Sequence, residues 1–193
     1  MKAKKGLRIF LIVSIVIMTL FAIGNGGWSM LENNHDIPDY DHSYYIQDYN
    51  IEMVVSENNT VYVEEVITAI FKESGKHGIY RNIPLTHSMD IEENGETKTI
   101  NQVIKDYDVE GNQNAVMTYQ DANLVIRMGD PDAYQVVGEP SIFTIAYTLD
   151  LGKDYAETFD MFYYNIIGSG WQVPIHNLNY KILMPNEFDT TQL

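Results

Sequence analysis

The chain has 193 residues, 45% of them apolar and 12% aromatic, which gives room for one domain with a core of ordinary size. It has no cysteine, which excludes a disulfide framework, a thiolate metal site, a cysteine nucleophile and an acylated-cysteine anchor. Its 27 acidic residues outweigh 12 basic ones, a formal charge of −15 that repels nucleic acid and anionic headgroups and suits cations or basic partners.

Residues 1–24 open with Lys2, Lys4, Lys5 and Arg8, then run through the apolar Ile9–Ile23 to small residues at Ala22 and Gly24. This is the pattern of a signal peptide, with an uncleaved signal anchor as the alternative. The apolar run is short for a span of about 20 residues, which favours cleavage. Residues 25–43 are polar and aperiodic, and read as a flexible linker.

From residue 44 onward the signal is β. Tyr49, Ile51, Met53 and Val55 alternate with polar residues, Ser56–Thr60 makes a turn, and Val61–Phe71 returns. Thr99–Val109 is a weaker strand. Met117–Gln120 and Asn123–Arg127 form a hairpin around Asp121-Ala122, and Gly129–Asp132 is a turn by composition. Phe143, Ile145, Tyr147, Leu149 and Leu151 make the cleanest period-two face, and Leu178, Tyr180, Ile182 and Met184 supply the last one. At most, Ala156–Phe159 forms a single helical turn. The expected fold is all-β, an antiparallel β-sandwich of immunoglobulin-like architecture over residues 44–186 with a tail at 187–193.

Two segments carry the candidate binding residues. In HGIYRNIPL (His77–Leu85), Gly78 and Pro84 shape the backbone, and Tyr80 and Arg81 point to opposite faces. Arg81 either binds an anion or carboxylate, or is used internally, paired with one of the many acidic residues or stacked on an aromatic such as Trp171. In FYYNIIGSGWQVP (Phe162–Pro174), Trp171 with Tyr163 or Tyr164 makes an aromatic platform, with Asn165 as a polar contact. The plainer reading has alternating Phe162 and Tyr164 fill the core, with GSGW as a bulge or a crossover between sheets.

Other chemistry is thinly marked. The histidines have no zinc spacing, although His77 and His87 flank the Arg81 segment, so no metal site is expected. Asp36, Asp39 and Asp41, and Asp130 with Asp132, are the clusters that calcium would use, but neither follows EF-hand spacing. Ser169 lies outside a nucleophile elbow, and no residue is assigned as catalytic. No cofactor is expected. Asn58-Asn59-Thr60 fits a glycosylation sequon.

In order, IQDYNIEMVV and TVYVEEVITAIF within Ile46–Phe71, GIYRNIPL at Gly78–Leu85, the strand at Ile142–Leu149 and FYYNIIGSGWQVPIHNLNYKILMP at Phe162–Pro185 resemble a known family. It is the extracytoplasmic N-terminal domain of predicted membrane proteins designated domain of unknown function 2207. The resemblance covers most of Tyr45–Pro185. It implies an uncharacterised cell-envelope protein whose β-rich domain lies outside the cytoplasmic membrane, and it carries no catalytic or binding residues across. Family members continue into transmembrane helices. Here attachment is expected through the N-terminal segment if uncleaved, or through a longer product.

The leading expectation is a non-catalytic extracytoplasmic domain, secreted or membrane-anchored. It would bind a cell-envelope protein or wall polymer, and no nucleic acid, through Tyr80, Arg81, Tyr163, Tyr164, Asn165 and Trp171. One alternative is an envelope glycan or peptide hydrolase with two carboxylates brought together in space, roughly 5–9 Å apart. Another is a structural ectodomain that regulates a membrane part.

Overall fold

A computed structural model describes residues 6–7, 43–103, 107–112, 114–153, 157, 159–168 and 170–186. The expected linker apart from Ser43, the tail, Ser169, and the aspartates at 36, 39 and 41 lie outside these residues, as does the leader apart from Gly6–Leu7. So do Ala156 and Thr158 of the segment expected to make a helical turn, whose Phe159 lies in a strand instead.

Among the described residues every regular element is a strand. They are β1 (Gly6–Leu7), β2 (Tyr44–Val55), β3 (Thr60–Phe71), β4 (Ile79–Pro84), β5 (Thr86–Glu93) and β6 (Glu96–Val103). The second half holds β7 (Tyr107–Gly111), β8 (Val116–Gln120), β9 (Asn123–Met128), β10 (Pro140–Asp150), β11 (Phe159–Asp160) and β12 (Ile175–Leu183). The chain is therefore all-β, as its alternation predicts.

A five-stranded sheet runs in the order β12-β2-β3-β10-β7, and a three-stranded sheet in the order β4-β9-β8. β5 and β6 form a separate hairpin, and β1 touches β11. One expectation is corrected here, because the sheets are not all antiparallel. β12 pairs with β2 in parallel, Tyr180 opposite Ile51 and Ile182 opposite Met53. A parallel neighbour cannot be reached by a tight turn, and the long connection between β10 and β12 supplies the crossover.

The hairpins follow local chemistry. Asn94 and Gly95 both have positive φ, at 56° and 81°, which gives β5 and β6 the two-residue turn whose twist matches the strands. Asp121 and Ala122 do the same between β8 and β9, at 49° and 59°. An alanine accepts that conformation at some cost. The sequence reading anticipated the second hairpin. Of the first, only the end of β6 falls within the weak strand expected over Thr99–Val109.

One core takes side chains from both larger sheets: Ile51, Met53, Val63, Ile67, Phe143 and Leu149 from one, and Ile79, Ile83, Leu124 and Ile126 from the other. Each such side chain contributes roughly 1.5–3 kcal/mol when fully buried. A register shift in β2 between Ile46 and Asp48 resets the alternation. It puts both Ile46 and Tyr49 inside, although they are three positions apart.

A buried carboxylate at the centre of the candidate site

The inward face of β3 reads Val61, Val63, Glu65, Ile67, Ala69 and Phe71, so the alternation that buries the valines also buries Glu65. A lone carboxylate there would be costly, and it is not alone. Arg81, inward on β4, donates to it from Nε to Oε2 at 2.8 Å and from Nη2 to Oε1 at 2.9 Å. Tyr49 on β2 donates its hydroxyl to Oε2 at 2.7 Å, and Tyr147 on β10 donates to Oε1 at 2.6 Å. Each oxygen thus receives two donors, which uses the accepting capacity of the carboxylate.

Burial pushes the Tyr49 and Tyr147 hydroxyls well above the usual phenol range, with Glu65 adding to the rise and Arg81 opposing it. Burial pulls against the charge on Arg81, but the Glu65 carboxylate beside it holds its pKa above the ordinary arginine value. The guanidinium and the two phenols keep their protons, so the group is a fixed ion pair with two neutral donors. It offers no base, acid or nucleophile.

The aromatic loop closes over this centre. Trp171 lies with its ring centroid 5.9 Å from the Arg81 guanidinium carbon and meets Tyr49 edge-on at 5.6 Å. Its indole Nε1 donates to the Ile167 carbonyl at 3.2 Å. Asn165 Oδ1 accepts from the Gly168 amide at 3.0 Å, which braces the turn from inside. Gly168 has φ +76°, and a Cβ there would sit 2.9 Å from Arg81 Nη1. That nitrogen donates to the Asn82 carbonyl at 2.6 Å. Glycine is therefore required at 168 both for backbone shape and for room.

The six predicted residues separate into different roles. Arg81, 2% exposed, makes both of the internal contacts expected of it as alternatives, the acidic partner and the tryptophan. Tyr164 is buried with its hydroxyl pushed up to about 12, chiefly by burial. Trp171 and Tyr163 are half-buried, and Asn165 serves the loop. Tyr80 stands apart on the outer face of β4, 60% exposed. Glu65, Tyr49 and Tyr147 were not singled out from sequence. The available signal was an acidic residue in phase with the valines of β3.

The histidines go to separate neighbours. His77 bonds the Ala133 carbonyl through Nδ1 at 2.9 Å and leans on Tyr134. His87 lies edge-on to Tyr163 and Tyr164, and burial lowers its pKa against the opposing pull of a hydrogen bond to the Pro84 carbonyl. Asp130 accepts from the Asp132 amide at 2.9 Å, which is a turn contact. Among the described residues no group of three or more His, Asp or Glu side chains could hold a metal ion. None of their elements is a helix long and apolar enough to cross a membrane.

A second cluster of acidic groups lies at the β2–β3 turn. A cavity of about 230 Å³ is lined by Glu57, Asn59, Asp160, Met161, Phe162 and Met184 among others. Both carboxylates there are exposed.

A family model described as predicted membrane protein (DUF2207) N-terminal domain matches residues 45–193. No curated protein matches the chain. Among solved structures, a two-domain M1 zinc metallopeptidase mutant bound to L-tryptophan is 14% identical with a TM-score of 0.34, over 57% of this chain and 21% of that one. The M1 zinc metallopeptidase of Deinococcus radiodurans bound to a Tyr-Ser-Ala substrate gives 13% and 0.36, over 57% and 21%. A protease described as putative in its name, from Parabacteroides distasonis, gives 6% and 0.31, over 58% and 24%. This chain spans a quarter or less of each, and at these scores the likenesses carry no argument about chemistry.

Proposed function

Because the chain belongs to this family of predicted membrane proteins, we propose that it is the non-catalytic extracytoplasmic domain of a membrane-associated protein, and that it binds a cell-envelope partner. In this reading the five- and three-stranded sheets face each other as a sandwich, with the Glu65–Arg81 pair between them. One observation carries the proposal: the buried charged centre is closed by internal donors and has nothing left to offer a substrate. Recognition then falls to exposed side chains. Tyr80 on the outer face, and Tyr163 with the rim of Trp171, are the aromatic groups placed for it.

The test is retention of the protein by whole-envelope material. Trp171→Ala and Tyr80→Ala, each checked for intact folding, are compared with the unaltered chain. Loss of retention in either variant places the contact there. Retention at unaltered affinity in both removes this surface.

A hydrolase is the second reading, favoured by the cavity that Glu57 and Asp160 share. Glycoside hydrolysis uses such a pair, but its acid usually sits in a dry pocket, and both groups here are exposed. Release of sugar or peptide fragments from envelope material, abolished by Glu57→Gln and by Asp160→Asn, would replace the binding reading.

A further inference from the structure

All five residues of β8 are exposed, and β8 is the outer margin of the three-stranded sheet. Met117 lies opposite Ile126 and Tyr119 opposite Leu124, so both share the face that β9 buries. They are nevertheless 43% and 59% exposed. The other face carries Val116, opposite Arg127, which in turn lies opposite Tyr80. The strand VMTYQ has no charge and no proline.

Sheet margins of this kind invite further strands, and proteins usually guard them with charge or cover. Among the described residues two other margins are treated that way. β12 presents Lys181, which is paired with Glu52. β4 is overlain by the loop at Gly170, where an added Cβ would touch the Asn82 side chain at 3.4 Å. β8, by contrast, carries no charged side chain to guard its margin.

We propose that β8 is a docking edge for an extended polypeptide segment of net positive charge, which adds to the three-stranded sheet as a fourth strand. The edge itself dictates the extended backbone, since a row of main-chain donors and acceptors is matched by another strand. Apolar residues at alternate positions of the incoming strand would lie beside Met117 and Tyr119. The sign of the partner follows from the chain's charge of −15. A second copy would bring −15 against −15, whereas a basic segment is drawn in. This inference rests on the partner-binding reading but concerns a different surface from the tryptophan rim.

The experiment uses the full chain in neutral detergent and a short synthetic peptide alternating lysine with valine. A glutamate–valine peptide serves as the control. Anisotropy measures affinity, and amide hydrogen exchange reports where the peptide sits. Slowed exchange at residues 116–120 with the lysine peptide is expected, and binding should weaken as salt rises. Thr118 is exposed, so Thr118→Lys should fold normally, checked by its melting temperature, and should weaken the lysine peptide by about tenfold or more. Thr118→Glu should keep it.

Protection elsewhere, affinity unchanged in Thr118→Lys, or equal binding of the glutamate peptide would each overturn the assignment. A concentration-dependent dimer that Thr118→Glu abolishes would hand the edge to a second copy. Envelope retention that depends on Trp171 while β8 binds no peptide would sink this inference alone. Peptide pairing at β8 with envelope retention unaltered by Trp171→Ala would sink the rim alone.

Discussion

Arg81 and Glu65 face each other across two sheets, with Nε–Oε2 at 2.8 Å, and the side chains are 2% and 0% exposed. The pair joins β4 to β3, two strands with no ladder between them. Desolvating two charges is expensive, so the arrangement holds only because geometry and the two tyrosines complete it.

Removing one partner should therefore hurt far more than removing both. Arg81→Met or Glu65→Leu alone is expected to cost about 3–5 kcal/mol in urea unfolding, because each strands a buried charge. The double variant should recover most of that loss. Single variants costing less than about 1 kcal/mol would show that the pair does not hold the sheets together.

Stability should fall at both ends of the pH range. Tyr164 titrates near 10 when unfolded and near 12 when folded, so the unfolded chain loses its proton first. The stability present below pH 10 is then lost as pH rises through 12, and Tyr49 and Tyr147 push in the same direction. His87 acts at the other end. Its folded pKa lies below the ordinary 6.5, so stability present above that value falls as pH drops through the folded pKa. Denaturant midpoints across pH check both limbs, and Tyr164→Phe should flatten the alkaline one.

Glycine positions should differ sharply in tolerance. At Gly78 an added Cβ would collide with the Met128 carbonyl oxygen, on backbone that cannot yield cheaply, so Gly78→Ala should abolish folding at ordinary temperature. Gly75→Ala meets open space and only the strain of φ +85°, expected to cost about 1–2 kcal/mol. Gly168→Ala should fall between them and should also shift tryptophan fluorescence, since it displaces Arg81 beneath Trp171.

A surface pair provides the contrast. Lys181 Nζ meets Glu52 Oε1 at 2.8 Å, but the side chains are 61% and 51% exposed. Lys181→Met should change stability by less than about 1 kcal/mol, within the range of exposed pairs. A larger loss in a thermal melt would mean that the rung has a role in holding β12 to β2.

Much of this fold was legible because period-two alternation reports one-sided burial. β3, β8 and β9 lie within a residue of where their patterns put them, and β10 begins three residues before its pattern does. The parallel seat of β12 was not legible, since the same alternation fits either direction. Asn94-Gly95 was a clear hairpin signal that the polar sequence around it obscured. At the candidate site, an internal partner for Arg81 was foreseeable in so acidic a chain. Its identity was not, because Glu65 sits beside Glu64 and only strand phase tells the inward one from the outward.

The direction of β12 also decides how the domain would answer a pull. β2 enters the sheet at Tyr44, while β12, running the same way beside it, leaves near Val54, roughly 30 Å further along. Tension applied through the flanking chain would drag these neighbours in opposite directions along their shared ladder. Its hydrogen bonds would then bear load in shear and share it, rather than peel one after another. A domain pulled at both ends in this way would keep its outermost strand until the whole seam yields at once.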